Sequence, residues 1–359
     1  MTTLEMPALL KKMADMGGSD LYIAAGMPPR LNVEGRLHDL ATDNLTSEDC
    51  RLLIRQMISE EQWAEFYQKR ELNIAYSLRE VSRYRVNVYF QRGSVASVIR
   101  RIRMDIPDFA GLHLTPVLGK LIMERQGLLL VTGATGSGKS TTMAAMIDFR
   151  AGNMDGHIVT VEDPIEFVFK HKKSLVTQRE VGIDTLSFNE ALKNTLRQAP
   201  NVIFIGELRD TETVQFALHS AETGHLVLAT LHSTNASQTI ERILNFFPKE
   251  YYHQILMQLS YNIRVIISQR LLPAKSGGRL PVLEILINTA LVQEMIQKGE
   301  LGQLKKIMDA ARQDGMQTFD GHLKNLVDKD QIAEDVALKF ADSPSDLRLR
   351  LRGFESGGY

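Results

Sequence analysis

Residues 127–140 read Gly127-Leu128-Leu129-Leu130-Val131-Thr132-Gly133-Ala134-Thr135-Gly136-Ser137-Gly138-Lys139-Ser140. A short apolar run bounded by glycine reads as a buried strand, and the octet from Gly133 to Ser140 fits the pattern GxxxxGK[ST]. Residues 141–149 continue as a helical stretch, which supplies the strand-loop-helix setting that the pattern needs. In such a loop the glycines let backbone N–H groups wrap a triphosphate. Lys139 reaches the β and γ phosphates, and the Ser140 hydroxyl ligates magnesium. The rival reading, a glycine-rich turn with no ligand, has no use for a lysine and a hydroxyl at those two places.

Downstream, apolar runs at residues 158–161, 202–205 and 226–230 alternate with helical stretches. Runs of this kind suit strands buried on both faces, hence a parallel sheet wrapped by helices. Ligands of such sheets sit beyond the carboxyl ends of the strands, so residues that follow each run are the candidates for chemistry. Glu162-Asp163-Pro164-Ile165-Glu166 follows the first run, where a carboxylate can orient or deprotonate an attacking water. Taken by itself, that box is equally a solvated acidic turn. Val202-Ile203-Phe204-Ile205-Gly206-Glu207 is an apolar strand ending in an acid, a Walker B pattern whose carboxylate reaches the magnesium shell or the hydrolytic water. After the third run stands His232, placed to feel the γ phosphate, with His225 before the same run.

Residues 1–106 have a different texture, a small α+β module. Short strands are expected at 20–23, 31–33, 84–89 and 95–102, and one helix over 47–67 capped by Thr46 or Ser47. Arg85, Arg100 and Arg101 lie on its strands, either as a charged guard on a sheet edge or as groups that stabilise transition-state charge across a subunit boundary. Residues 107–115, broken by Pro, Gly and His, are the expected linker or hinge. The domain after it spans 116–342 with helical C-terminal segments, and residues 343–359, polar and Gly/Ser-containing, are expected to be mobile.

Composition closes off other classes. At 359 residues the chain is long enough for two domains, and 44% hydrophobic with 24% charged residues is ordinary for a globular protein. The 42 basic and 43 acidic residues nearly cancel, which argues against direct binding of nucleic acid by phosphate neutralisation. Cys50 is the single cysteine, so neither an internal disulfide nor a CxxC zinc site can form. It is expected to be inert core in a reducing, cytoplasmic setting. No run of about 18 apolar residues marks a membrane span, and residues 1–18 lack an apolar core of signal-peptide type.

Taken in order and spacing, the phosphate loop, the EDPIE box, the IGE segment and the TGHLVLATLHSTNA histidine box resemble the secretion ATPases that drive type II secretion and type IV pili. The stretches SDLYIAAGMPPRLNVEGRL, SRYRVNVYFQRG and QRLLP are similar to those of pilus retraction ATPases of the PilT/PilU family. The resemblance implies a PAS-like N-terminal domain followed by a RecA-like ATPase domain, assembled as a homo-hexamer that binds ATP and Mg2+. It implies contact with an inner-membrane platform protein on the cytoplasmic side, and with a PilT-like retraction ATPase. Carried over by position, nucleotide binding falls to Gly133, Ala134, Thr135, Gly136, Ser137, Gly138, Lys139, Ser140 and Thr141, with Glu162, Asp163 and His225. The metal falls to Ser140 and Glu207. Catalysis falls to Glu166, Glu207 and His232, with Arg85, Arg100 and Arg101 as trans-acting candidates.

Two positions depart from that pattern. Asn201 stands where the family usually has an aspartate at the start of the Walker B strand, and residues 290–297 read ALVQEMIQ in place of AIRNLIRE. Both features, with the C-terminal extension, look more like PilU, and they leave open a retraction motor, a pilus-extension or type II secretion ATPase, and a low-turnover nucleotide-binding scaffold in a motor ring. A chain with one cysteine cannot build the tetracysteine zinc element that most extension and secretion ATPases carry.

Overall fold

The computed structural model describes residues 4–102, 104–311 and 315–354. It divides into two compact units, Met1–Asp105 with Ile165–Val168, and Ile106–Pro164 with Phe169–Tyr359.

The first unit is built on strands β1 (Asp20–Ile23), β2 (Arg30–Val33), β3 (Arg36–Asp39), β4 (Glu71–Leu78), β5 (Ser82–Gln91) and β6 (Ser94–Ile102). They form one antiparallel sheet in the order β3-β2-β1-β6-β5-β4. Along β5 buried and half-buried residues alternate, as period-two patterning requires of a sheet with one covered face. Helix Met6–Asp15 covers that face with Met6, Leu9, Leu10 and Met13, all buried. The buried Tyr84 hydroxyl donates to Leu10 O at 2.8 Å, and burial pushes its pKa up to about 12. The single helix expected over 47–67 is in fact two, Ser47–Arg55 and Glu60–Lys69. Ser59 breaks it, because its side chain accepts from Gln62 N and starts the second helix with a capping box. Cys50 is buried, and burial pushes its thiol up to about 11, so it stays protonated and inert.

The second unit carries β7 (Gly127–Thr132), β8 (Gly156–Glu162), β9 (Ser174–Glu180), β10 (Val202–Ile205), β11 (Leu226–Leu231), β12 (Ile263–Pro273) and β13 (Arg279–Ile287). Their order is β13-β12-β7-β11-β10-β8-β9, parallel throughout except for β13, which pairs antiparallel with β12. Every residue of β7, β10 and β11 is buried, the condition of strands covered by helices on both faces.

At the C-terminal side, helices Ala290–Lys298, Leu304–Ala310, Phe319–Asp328 and Glu334–Phe340 follow. The segment expected to be mobile from 343 onward instead folds as helix Pro344–Leu351. Leu347 is fully buried with Leu272, Val282 and Phe319, and Arg350 makes two bonds to the Asp309 carboxylate at 3.2 and 3.0 Å. The Gly/Ser composition of the last few residues hid a short helix just before them, seated by Leu347. Residues 355–359 lie outside the described residues. No described helix is long and apolar enough to cross a membrane.

Candidate functional site

Because β7, β11, β10 and β8 are adjacent and parallel, their carboxyl ends share one edge. That edge presents the loop 133–138 after β7, His232 after β11, Glu207 after β10, and Glu162 with Asp163 at the end of β8. The register pairs Thr132 with Leu231 and Ile205 with both Ala229 and Val161, so the four exits lie side by side.

The loop takes the conformation that its glycines permit. Gly133, Gly136 and Gly138 have φ of 152°, 78° and 87°, values that disfavour any residue with a Cβ. Lys139, nearly buried in the first turn of helix Lys139–Asn153, donates to Gly133 O at 2.9 Å and Ala134 O at 3.0 Å. Ser137 Oγ is buried with no hydrogen-bond partner among the described residues. Such an orphan hydroxyl is costly unless a ligand oxygen satisfies it, and a phosphate in the loop would do so.

From Lys139 a polar array crosses the edge. Lys139 Nζ lies 3.3 Å from His232 Nδ1, and His232 Nε2 lies 3.3 Å from Glu207 Oε1. An ammonium can only donate, so Nδ1 accepts, and Nε2 carries the proton toward Glu207. The other Glu207 oxygen accepts from Arg209 Nε at 2.9 Å, and Arg209 also reaches Asp163 Oδ2 at 3.0 Å. Arg209 lies over the Phe188 ring at 5.8 Å. Glu162 is buried and accepts from Thr160 Oγ1 at 2.6 Å and Gln178 Nε2 at 3.2 Å. The expected residues Lys139, Glu162, Asp163, Glu207 and His232 are thus brought together, with Ser140 and Thr141 continuing the helix from the loop.

Other expected residues fall elsewhere. His225 stands before β11, where Gly127 N donates to its backbone carbonyl, and its ring Nδ1 is held by Ser220 O at 3.1 Å. Six residues of strand separate it from His232, about 20 Å at 3.3 Å per residue. Within the chain His225 therefore does not reach the loop, which corrects the expectation. Glu166 lies in Ile165–Val168, which groups with the first unit, so the second unit alone fixes no distance from it to the loop. On the first unit's sheet, Arg85 and Arg100 are direct cross-strand partners, and Arg100 bonds Asp20 at 2.7 Å while 68% exposed. Arg101 is committed inside its own unit, to Ala14 O at 3.2 Å and to Ser82 Oγ at 3.4 Å.

Asn201 also lies at the far edge. Its side chain accepts from His157 N at 2.8 Å and tethers the start of β8. Five residues of chain, about 17 Å of strand, separate it from Glu207. The departure from aspartate there leaves the phosphate edge untouched.

Beneath the loop runs a buried polar chain. Thr132 Oγ1 donates to Ser268 Oγ at 3.2 Å, and Glu284 Oε1 accepts from Ala236 N at 2.7 Å and lies 3.3 Å from Ser268 Oγ. Burial pushes Glu284 from its ordinary 4.5 up to about 7, a rise worth about 3 kcal/mol. A folded-state value above the unfolded one means that the folded state holds the extra proton between those two pH values. The stabilisation is complete below about 4.5 and is lost as pH rises through about 7. Glu284→Gln, which cannot ionise, is expected to gain on the parent in thermal midpoint at pH 8 but not at pH 5. Parallel curves at the two pH values would contradict that account.

Two residues of the edge escaped sequence reasoning. Arg209 follows the IGE segment by two positions, and its value as the link between Glu207 and Asp163 appears only once β8 and β10 are neighbours. Gln269, in the QRLLP segment, has the loop as its partner because β12 pairs with β7.

The comparisons agree with this geometry. The model of the family "Type II/IV secretion system protein" matches residues 98–277. The chain is 47% identical to the type IV pilus ATPase PilU of Pseudomonas aeruginosa, over 98% of this chain and 93% of that one. It is 38% identical to the type IV pilus retraction ATPase PilT of the same organism, over 96% and 100%. Among solved structures, the pilus retraction motor PilT with bound ADP superposes with a TM-score of 0.89 at 41% identity, covering 96% of this chain and 99% of that one. The Legionella pneumophila ATPase DotB does so at 0.76 and 26%, covering 99% and 98%. With the phosphate loop, the acidic edge and the full-length relatives in agreement, the chain belongs to the type II/IV secretion system protein family, as a P-loop ATPase of its type IV pilus motor branch.

Proposed function

We propose that the chain hydrolyses ATP as the subunit of a hexameric motor that retracts type IV pili, working beside a PilT-like motor at an inner-membrane platform protein, on the cytoplasmic face. The observation that carries this reading is the unbroken array Lys139–His232–Glu207–Arg209–Asp163 on the phosphate edge. A scaffold that only binds nucleotide has no need of an acid tied to both a histidine and an arginine there. The greater identity to PilU than to PilT supports the accessory role.

In this reading the loop 133–138 cradles the triphosphate, and Lys139 exchanges its loop carbonyls for β and γ oxygens. Glu166 takes the proton of the attacking water while Glu207 holds His232, whose contact to Lys139 lets the histidine register loss of the γ phosphate. Among the described residues no three His, Cys, Asp or Glu side chains form a metal cage. Magnesium is ordinarily held by one or two protein oxygens and the phosphates, and the hard oxygen donors Ser140 and Glu207 suit it. The ion would neutralise charge on the phosphates. Arg85 and Arg100 are the candidates for donation across a subunit boundary, in preference to Arg101. Residues 107–115 act as the hinge through which closure of one unit is passed to the ring.

The test is assembly and turnover together. The purified full chain, alone and mixed with a PilT-like motor from the same cell, is followed by phosphate release and sedimentation. Six-subunit particles that hydrolyse ATP, and mixed particles with the partner, are expected. Nucleotide binding without turnover in the chain alone, together with turnover in the mixture no greater than that of the partner motor by itself, would make the chain a scaffold and overturn the motor.

A further inference from the structure

We propose that Gln269 is a positioning residue for the phosphate loop: its side chain clasps the loop from the neighbouring strand and aims one of the N–H groups that receive the nucleotide. The inference rests on reading residues 133–140 as that loop. Gln269 follows in register the pairs Ile267–Val131 and Ser268–Thr132, which places it beside Gly133. It is 3% exposed, and its amide uses both ends. Nε2 donates to Ser137 O at 2.7 Å, and Oε1 accepts from Thr142 Oγ1 at 2.7 Å. One side chain thus joins the crown of the loop to the first turn of helix Lys139–Asn153.

The geometry of the peptide makes that clasp directional. In a trans peptide the carbonyl and the following N–H point in opposite directions. With Ser137 O held toward Gln269, the Gly138 N–H is aimed away from that amide, which in this proposal is the side on which the loop receives a phosphate. Free rotation of that peptide would swing a carbonyl oxygen toward the phosphate instead, a repulsive contact.

The glycines record the same closeness. A Cβ at Gly133 would lie 2.5 Å from Gln269 O, and one at Gly138 would lie 2.8 Å from Gln269 Nε2. Gly133, which meets the backbone of the strand, is therefore required by the approach of this strand as well as by its own φ, whereas a Cβ at Gly138 would displace the clasping amide. Only an amide serves here. A carboxylate would face the Ser137 carbonyl with like partial charge, and an apolar side chain would leave Ser137 O and the Thr142 hydroxyl buried without partners.

A clasp that orients a phosphate donor acts on ground state and transition state alike, so its loss raises KM more than it lowers kcat. Gln269→Ala and Gln269→Glu are each expected to raise the Kd of a fluorescent ADP analogue about tenfold, with a matching rise in the KM for ATP and kcat within about threefold. Thr142→Val, which keeps the Ser137 bond, is expected to have a smaller effect, and combined with Gln269→Ala to add less than its own share. Thermal midpoint and sedimentation of each full-length variant report folding. Unchanged Kd and KM in a folded Gln269→Ala protein would overturn the proposal, as would a fall in kcat and thermal midpoint at constant KM. Lys139→Ala run alongside separates the failures: if it too leaves Kd unchanged, the reading of the loop is what has failed.

Discussion

Replacing Lys139 by alanine is expected to lower steady-state ATP turnover by at least about 10³-fold. Removing one neutral oxyanion donor from an active site costs about 10² to 10³ in kcat, and a charge-assisted bond is about twice as strong as a neutral one. Lys139 is nearly buried at the start of its helix, where little water competes for its charge. In the structure it bonds Gly133 O and Ala134 O and lies 3.3 Å from His232 Nδ1. In the proposed mechanism, loss of its ammonium removes both the phosphate contact and the link from the loop to His232. The Gly133 contact is buried but Ala134 is exposed, so water can replace the lost donor at one of the two carbonyls, and the fold and the particle size are expected to survive. Phosphate release with sedimentation in parallel decides it, and turnover within about tenfold of the parent would remove Lys139 from the mechanism.

What the sequence disclosed, and what it hid, follows from the range of the interactions concerned. The strands β7, β8, β10 and β11 were legible because each is a continuous apolar run ending in a glycine or a charged group, a signal carried by neighbours in the chain. The local competition at Ser59 was not, because a capping side chain and a helix-compatible one look alike in a periodic pattern. Strand order is a property of pairing, and no local pattern puts β12 beside β7, which is why Gln269 stayed without a role. His225 shows the opposite error. Seven positions from His232 in sequence, it is carried by an extended strand to the other end of the sheet, whereas a helix would have kept the two within about two turns. Within the stretch 343–359, expected from its composition to be mobile, one buried leucine and one ion pair seat the short helix Pro344–Leu351, a signal too small for composition to carry.

The acids of the edge divide the remaining work, and their variants are expected to separate it. Glu207→Gln should lower kcat by about 10² to 10³ while leaving nucleotide Kd within about threefold, the pattern of an interaction made chiefly in the transition state. The substitution keeps the shape but removes the charge that Arg209 and His232 share, and it turns an amide N–H toward one of two donors. In the proposed mechanism Glu207 holds Arg209, His232 and the magnesium ion, and taking a proton from water would undo those contacts. In the same proposed mechanism that task falls to Glu166, and Glu166→Gln should then be at least as damaging as Glu207→Gln. A double-mutant cycle with Arg209→Met tests the array itself. If Glu207 acts through the array, the second change costs much less in the Glu207→Gln background than in the parent. Full additivity would mean that Glu207 and Arg209 work independently, and a Glu166→Gln protein with near-parental turnover would return the role of base to the acids of the second unit, Glu162 or Glu207.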